Sequence, residues 1–104
     1  MINILLACGC GASSGFIAQS MRKAAKAKGI QAHIRAVSDT EVLGVIGDYD
    51  ALLLGPHIGY RLTEFQKRFE KENKIIEVMD QRDYATLNGE AILEKILQKM
   101  DGRR

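Results

Sequence analysis

Four short strand-like runs, at 2–7, 31–37, 51–54 and 74–79, alternate with stretches whose apolar residues recur at helical spacing. That alternation constrains the fold more than any single residue does. It predicts strand–helix units that lay down a parallel sheet, with helices covering both of its faces. A chain of 104 residues has room for one such core and not for two, so 1–104 is expected to be a single domain. A hydrophobic share of 46% and a charged share of 27% suit a core that needs neither a disulfide nor a metal to hold it.

The run Ile2 to Ala7 leads into Cys8 and a small-residue loop. Phe16, Ile17, Met21, Ala24, Ala25 and Lys28 then recur on one helical face, with Arg22, Lys23 and Lys26 off it. Ser13 or Ser14 is the expected N-cap and Gly29 the expected stop. Gln31 to Val37 alternates polar with apolar residues, as an edge strand does. Ser38-Asp39-Thr40 introduces a short helical piece through Ile46. Ala51 to Leu54 is apolar on both faces and belongs in the centre. A second clear helix turns Leu62, Phe65 and Phe69 inward and Arg61, Glu64, Lys67, Arg68 and Lys71 outward. Lys74 to Met79 reads as the fourth strand, interrupted by Glu77. Residues 81–87 fit a short helix or a loop, and Ile92, Leu93, Ile96, Leu97 and Met100 mark the last helix.

With the two most apolar strands inside, the strand order becomes 2-1-3-4. That is a flavodoxin-like three-layer sandwich, an α/β fold with a four-stranded parallel sheet and helices on both faces. Ligands in such sheets bind beyond the carboxyl ends of the strands flanking the topological switch. Here those ends are the Cys8 loop and Gly55-Pro56-His57.

Fifteen basic against thirteen acidic residues leave a net charge of +2, too small and too mixed for a nucleic-acid surface. No apolar run approaches the ~18 residues of a membrane span, so no direct membrane insertion is expected. Leu5-Leu6-Ala7-Cys8 has the letters of a lipoprotein cleavage box but lacks the basic and apolar segments that should precede it. A cytoplasmic protein with reduced thiols is the expectation.

From Cys8 to Gly15 the loop contains Gly9, Cys10, Gly11, Ala12, Ser13 and Ser14, all small. Backbone N–H groups can turn inward there, and a helix amino terminus adds its positive dipole end. The same field favours Cys8 as a thiolate, since free cysteine titrates near 8.5 and helix N-termini can bring this to about 3.5–7.5. A nucleophilic sulfur in a phosphate-sized nest suggests a thiophosphate intermediate. The alternative is a cysteine that is only a small buried hydrophobe at a strand end.

Related chemistries fail on the letters. A low-molecular-weight tyrosine phosphatase or arsenate reductase places arginine six residues after its cysteine, where this chain has Ser14. A response regulator ends its third strand in aspartate, where this chain has Gly55. A thioredoxin-type redox site wants C-x-x-C, and this is C-x-C. Structural zinc wants four ligands, and a Cys8–Cys10 pair offers two, with His57 a conceivable third at the crevice and His33 on an edge strand. No metal and no cofactor are expected.

The letters do resemble a known family. Cys8, Gly11-Ala12-Ser13-Ser14 and the following helix are similar to the C-[small]-x-G-[MA]-S-[ST] start of the IIB components of the bacterial phosphotransferase system, lactose/cellobiose (chitobiose) type. Leu52-Leu53-Leu54-Gly55-Pro56-His57-Ile58-Gly59-Tyr60 resembles that family's L-L-G-P-Q-[IV]-x-[YF] segment, and Glu77 to Asp80, with Tyr84 and Gly89, its third block. The resemblance implies a cytoplasmic phosphocarrier, a protein-phosphocysteine–sugar phosphotransferase. A IIA phosphohistidine protein would donate to Cys8. Phospho-Cys8 would then pass the group to a sugar, such as the β-disaccharides cellobiose, lactose or chitobiose, bound by a membrane IIC permease. Two departures stand out: Cys10 and Gly15 replace a small residue and a hydroxyl, and His57 replaces the usual glutamine. An arginine in the loop would also stabilise attack by water, so a carrier gains by lacking one.

Around the crevice, Gly55, Pro56, His57, Tyr60, Asp80 and Tyr84 form the expected rim. His57 reads as a contact to the loop or a partner ahead of a general base. Tyr60 and Tyr84 either close the crevice or are ordinary half-buried packing. Asp80 is expected to cap the turn after the fourth strand. Cys10 reads as a passive loop residue. No apolar stripe is left over once the core is assigned, so the isolated chain is expected to be a monomer.

Overall fold

The computed structural model describes residues 2–8 and 12–101. Strands β1 (Ile2–Cys8), β2 (Ala32–Ser38), β3 (Ala51–Leu54) and β4 (Ile75–Val78) form a parallel sheet in the order β2-β1-β3-β4. Helices α1 (Ala12–Ala27), α2 (Val42–Val45), α3 (Leu62–Phe69), α4 (Gln81–Ala85) and α5 (Gly89–Asp101) connect and follow the strands. Short 3-10 turns flank α2 at Asp39–Glu41 and Ile46–Asp48, and another, Pro56–Arg61, precedes α3. The flavodoxin-like sandwich expected from the alternation is the fold observed.

Side chains alternate between the two faces of a strand, and the core divides accordingly. Ile4, Leu6, Ala51 and Leu53 point to one side, where Ile17, Met21, Leu93 and Ile96 of α1 and α5 cover them. Leu5, Leu52, Leu54 and Ile76 point to the other, against Val42 and against Phe65 and Phe69 of α3. The central strands are apolar in every residue from Ile4 to Ala7 and from Ala51 to Leu54 because both of their faces are covered.

Each edge strand has a carbonyl taken by a helix side chain. Arg22 of α1 donates Nε and Nη2 to the Ile34 carbonyl on β2, at 2.9 and 2.6 Å. Gln66 of α3 donates its Nε2 to the Ile76 carbonyl on β4 at 3.3 Å. Both edges are thereby blunted as templates for another strand.

Gly29 ends α1 as expected, at φ 70°. The Ile30 N–H donates to the Ala25 carbonyl at 2.9 Å and the Gly29 N–H to the Lys26 carbonyl at 3.2 Å. That pair is a Schellman closure, which needs a left-handed residue.

Four expectations are corrected. Ser13 and Ser14 lie inside α1, which already begins at Ala12, so neither is its N-cap. Phe16 is 63% exposed, because the buried stripe of α1 runs through Ile17, Ala18, Met21, Ala24 and Ala25 and leaves Phe16 about 100° off it. Lys28 is not on the inward face either; it is exposed and pairs with Glu94 of α5 at 3.0 Å. Arg61 does not point into solvent: it is half-buried and held by two carboxylates.

Candidate functional site

Cys8 is the last residue of β1 and has no exposed surface. It follows Ile4 and Leu6 at two-residue intervals, so its side chain stands on the sheet face covered by α1 and α5. On one side its register partner is Ser38 of β2. On the other, Ala7 pairs with Leu54, and the Gly55 N–H donates to the Ala7 carbonyl at 2.8 Å, which makes Gly55 the neighbour of Cys8 beyond β3. The two strands flanking the switch point therefore bring the thiol and a glycine side by side.

Gly55 lacks a side chain for a local reason. A Cβ there would lie 2.8 Å from His57 Cε1, 3.2 Å from His57 Nδ1 and 3.3 Å from the Cys8 Cβ. The His57 imidazole occupies the space that a side chain at position 55 would claim, on the face where Cys8 stands. Pro56 opens the 3-10 turn with its fixed φ, and the Ile58 N–H closes back onto the Gly55 carbonyl at 3.0 Å. That turn folds His57 back over the strand end.

His57 packs in turn against Tyr84 of α4, with ring centroids 5.8 Å apart and planes tilted by 54°. Tyr84 is half-buried against the α1–α5 core. Asp80 caps α4, accepting from the Arg82 N–H at 2.9 Å and the Asp83 N–H at 3.1 Å. Those bonds, the one from Asp83 first, hold the Asp80 carboxyl below the usual carboxylate range, and the positive charge of Lys95 adds to the effect. Lys95 of α5 bonds Asp83 at 2.7 Å and lies 3.9 Å from Asp80, which raises its own affinity for the proton.

Cys8, Gly55, His57 and Tyr84 thus come together in one row. Tyr60 does not join it as packing, being 81% exposed. Gly15 is exposed on the first turns of α1, with no atom within 4 Å of where a Cβ would stand. Ala12, Ser13 and Ser14 contribute backbone to that helix start. Gly9, Cys10 and Gly11 lie outside the described residues, so the Cys8–Cys10 question does too. Among the described residues no three histidine, cysteine or acidic side chains cluster as a metal set.

Arg61 is the residue that sequence reasoning misplaced near the site. It donates to Asp39, after β2, at 2.8 Å and to Glu64 at 2.8 and 3.2 Å, while its guanidinium lies 4.5 Å from the Phe65 ring centre. Both carboxylates raise its proton affinity further, Glu64 first, and Arg61 lowers that of Glu64. An i, i+3 partner was legible in the sequence; the partner at Asp39, 22 positions away, was not.

The sheet is flavodoxin-like, and its first strand ends in a buried cysteine that leads, four residues on, into the first helix. The chain belongs to the family described as PTS system, lactose/cellobiose-specific IIB subunit, which matches residues 3–95. It is 32% identical over 100 residues to the oligo-beta-mannoside-specific EIIB component of the phosphotransferase system of Bacillus subtilis, covering 96% of this chain and 97% of that one. Among solved structures, the cellobiose-specific phosphotransferase IIB component from Borrelia burgdorferi superposes with a TM-score of 0.70 at 35% identity, covering 93% of this chain and 85% of that one. The lactose-specific IIB domain from Streptococcus pneumoniae superposes with a TM-score of 0.85 over 93% and 95% of the two chains. At 17% identity that likeness establishes the fold. The protein is a IIB component of lactose/cellobiose type, a part of sugar-specific phosphotransfer. No helix among its described residues is long and apolar enough to cross a membrane.

Proposed function

We propose that the chain is a single IIB domain that carries a phosphoryl group on Cys8 in the cytoplasm, between a IIA phosphohistidine protein and a sugar held by a membrane IIC permease. The observation that carries this reading is the place of Cys8. It ends β1 at the switch point, α1 begins four residues later, and Gly55 and His57 lie beside it. The N-terminus of α1 favours an anion in front of it by about 0.3–1 kcal/mol. The phosphate-binding stretch is 9–15, and the rim is formed by Gly55, Pro56, His57, Tyr60, Asp80 and Tyr84.

In the first step the Cys8 thiolate attacks the phosphorus of the donor phosphohistidine. An S–P bond forms, the N–P bond breaks, and its electron pair returns to the donor imidazole. In the second step a sugar hydroxyl attacks the phosphorus, an O–P bond forms, the thiolate leaves, and the hydroxyl proton passes to a base on the sugar-binding partner. Alignment by each partner is worth several kcal/mol of the barrier. Because Cys8 has no exposed surface, its cover must move for either reaction, and docking of a partner supplies the occasion. The Bacillus relative is named for β-linked mannosides, which supports a β-disaccharide as the sugar class here.

The deciding experiment separates donors. The pure protein is incubated with ATP–Mg²⁺ and, separately, with the phosphorylated general carrier chain plus IIA. The sequence has no G-x-x-x-x-G-K-[ST] loop, which ATP-dependent transfer of the P-loop kind requires. Acid-labile label on Cys8 is expected only with the carrier chain, and label with ATP alone would overturn the reading.

A further inference from the structure

We propose that His57 binds the phosphoryl group itself, its protonated imidazole donating a hydrogen bond to a phosphoryl oxygen on Cys8 Sγ. This rests on the phosphocysteine reading and deepens it by naming the side chain that answers the charge of the group. No bond to phosphorus is made or broken by His57.

The imidazole lies where a Gly55 side chain would stand, so the missing Cβ lets it reach the sheet face occupied by Cys8. Tyr84 backs the ring from α4 at a centroid distance of 5.8 Å, so the imidazole meets the crevice already oriented. A phosphoryl group brings nearly two negative charges and three acceptor oxygens. Backbone N–H donors answer the acceptors without answering the charge, whereas a protonated imidazole does both in a charge-assisted bond.

The other charged groups on the elements packed here are differently engaged. Among the described residues, the Tyr84 ring of α4 stands 5.8 Å from the His57 ring, and Cys8 of β1 borders the same Gly55 position that the imidazole fills. Arg61 is bound to Asp39 and Glu64, and Lys95 to Asp83 with Asp80 beside it. Arg82, exposed on α4, acts electrostatically on Asp80.

The test loads wild type, His57→Gln and His57→Ala through the general carrier chain and IIA, then follows the phosphocysteine resonance by phosphorus NMR between about pH 5 and 8. A cation within hydrogen-bond reach favours the doubly ionised phosphoryl group, so wild type should titrate lowest, and both variants about one pH unit higher. Glutamine is the informative control, because it keeps a neutral donor and loses the charge. Equal midpoints in all three proteins, or a wild-type midpoint in His57→Gln, overturn the proposal and leave phosphocysteine standing. If no phosphorus resonance forms on wild-type Cys8, the underlying reading falls and this proposal with it. Should His57→Ala fail to fold, which circular dichroism reports, the comparison of wild type with His57→Gln decides alone.

Discussion

Arg61 Nη1 donates to Asp39 Oδ2 at 2.8 Å, tying the turn after β3 to the turn after β2 across the carboxyl end of the sheet. Both side chains are four-fifths buried or close to it, at 20% and 17% exposure. β1, which carries Cys8, runs between the two strands so joined. A double-mutant cycle with Arg61→Met and Asp39→Asn should give a coupling energy of about 1 kcal/mol, after allowance for the remaining solvent. A coupling indistinguishable from zero in denaturant melts would mean that the pair is ornamental. Arg61→Lys should not restore it fully, because an ammonium cannot serve Asp39 and Glu64 with the fork that the guanidinium presents.

Two glycines should respond to alanine with opposite signs. A Cβ on Gly89 would lie 2.5 Å from the Met21 backbone nitrogen, in the place where α5 starts against α1. The Gly89 N–H also donates to Ser20 Oγ at 3.1 Å. Since backbone cannot yield as a side chain can, Gly89→Ala should cost about 2–3 kcal/mol. Gly15, in open space on α1, should gain about 0.5–1 kcal/mol on becoming alanine. Chemical denaturation of both variants checks the pair, and equal responses would refute the close packing at Gly89.

The alternation of apolar runs was enough to place β3 at Ala51–Leu54 and to order all four strands, because burial on both faces leaves its mark in every residue of a central strand. Phe16 shows where that reasoning fails. Periodicity says that a stripe exists, but an aromatic residue next to the stripe has the same letters as one inside it. Gly89 was visible as a letter in a shared block, while the Met21 nitrogen it must clear lies 68 positions earlier in the chain. The row from Cys8 to Tyr84 was legible only in part. Cys8, Gly55 and His57 were placed at the switch point, but the exchange by which the His57 ring takes the Gly55 side-chain position depends on the turn geometry.

Cys8→Ser should abolish phosphoryl acceptance, since an alcohol at neutral pH is a far weaker nucleophile than a thiolate. The exchange buries a hydroxyl at a position without exposed surface, and should cost about 1 kcal/mol of stability. Cys10→Ala should retain most transfer activity. Label transfer from phosphorylated IIA, followed in both variants, checks the two expectations together. A loss at Cys10 as deep as that at Cys8 would favour a paired-thiol chemistry.

Acid should weaken the fold through carboxylates held ionised. The Asp80 carboxyl is lowered by its cap bonds and Glu64 by Arg61. A folded-state value below the unfolded one gives stability that is complete above the unfolded value and is lost as pH falls through the folded one. Wild type should therefore melt above Asp80→Asn at pH ~7, with the gap closing below about pH 4. Asparagine still caps the helix, so the comparison isolates the charge. Melting curves that stay parallel down to about pH 3 would contradict it.

The burial of Cys8 bears on how long an idle molecule keeps its value. Peroxide and alkylating agents attack thiolates that they can reach, and their selectivity follows exposure as much as acidity. A sulfur with no surface of its own is met by such reagents only when the fold opens, so Cys8 should react more slowly with them than an exposed thiol does. On the phosphocysteine reading, the burial that makes the sulfur wait for a partner should also slow its oxidation while it carries no phosphoryl group.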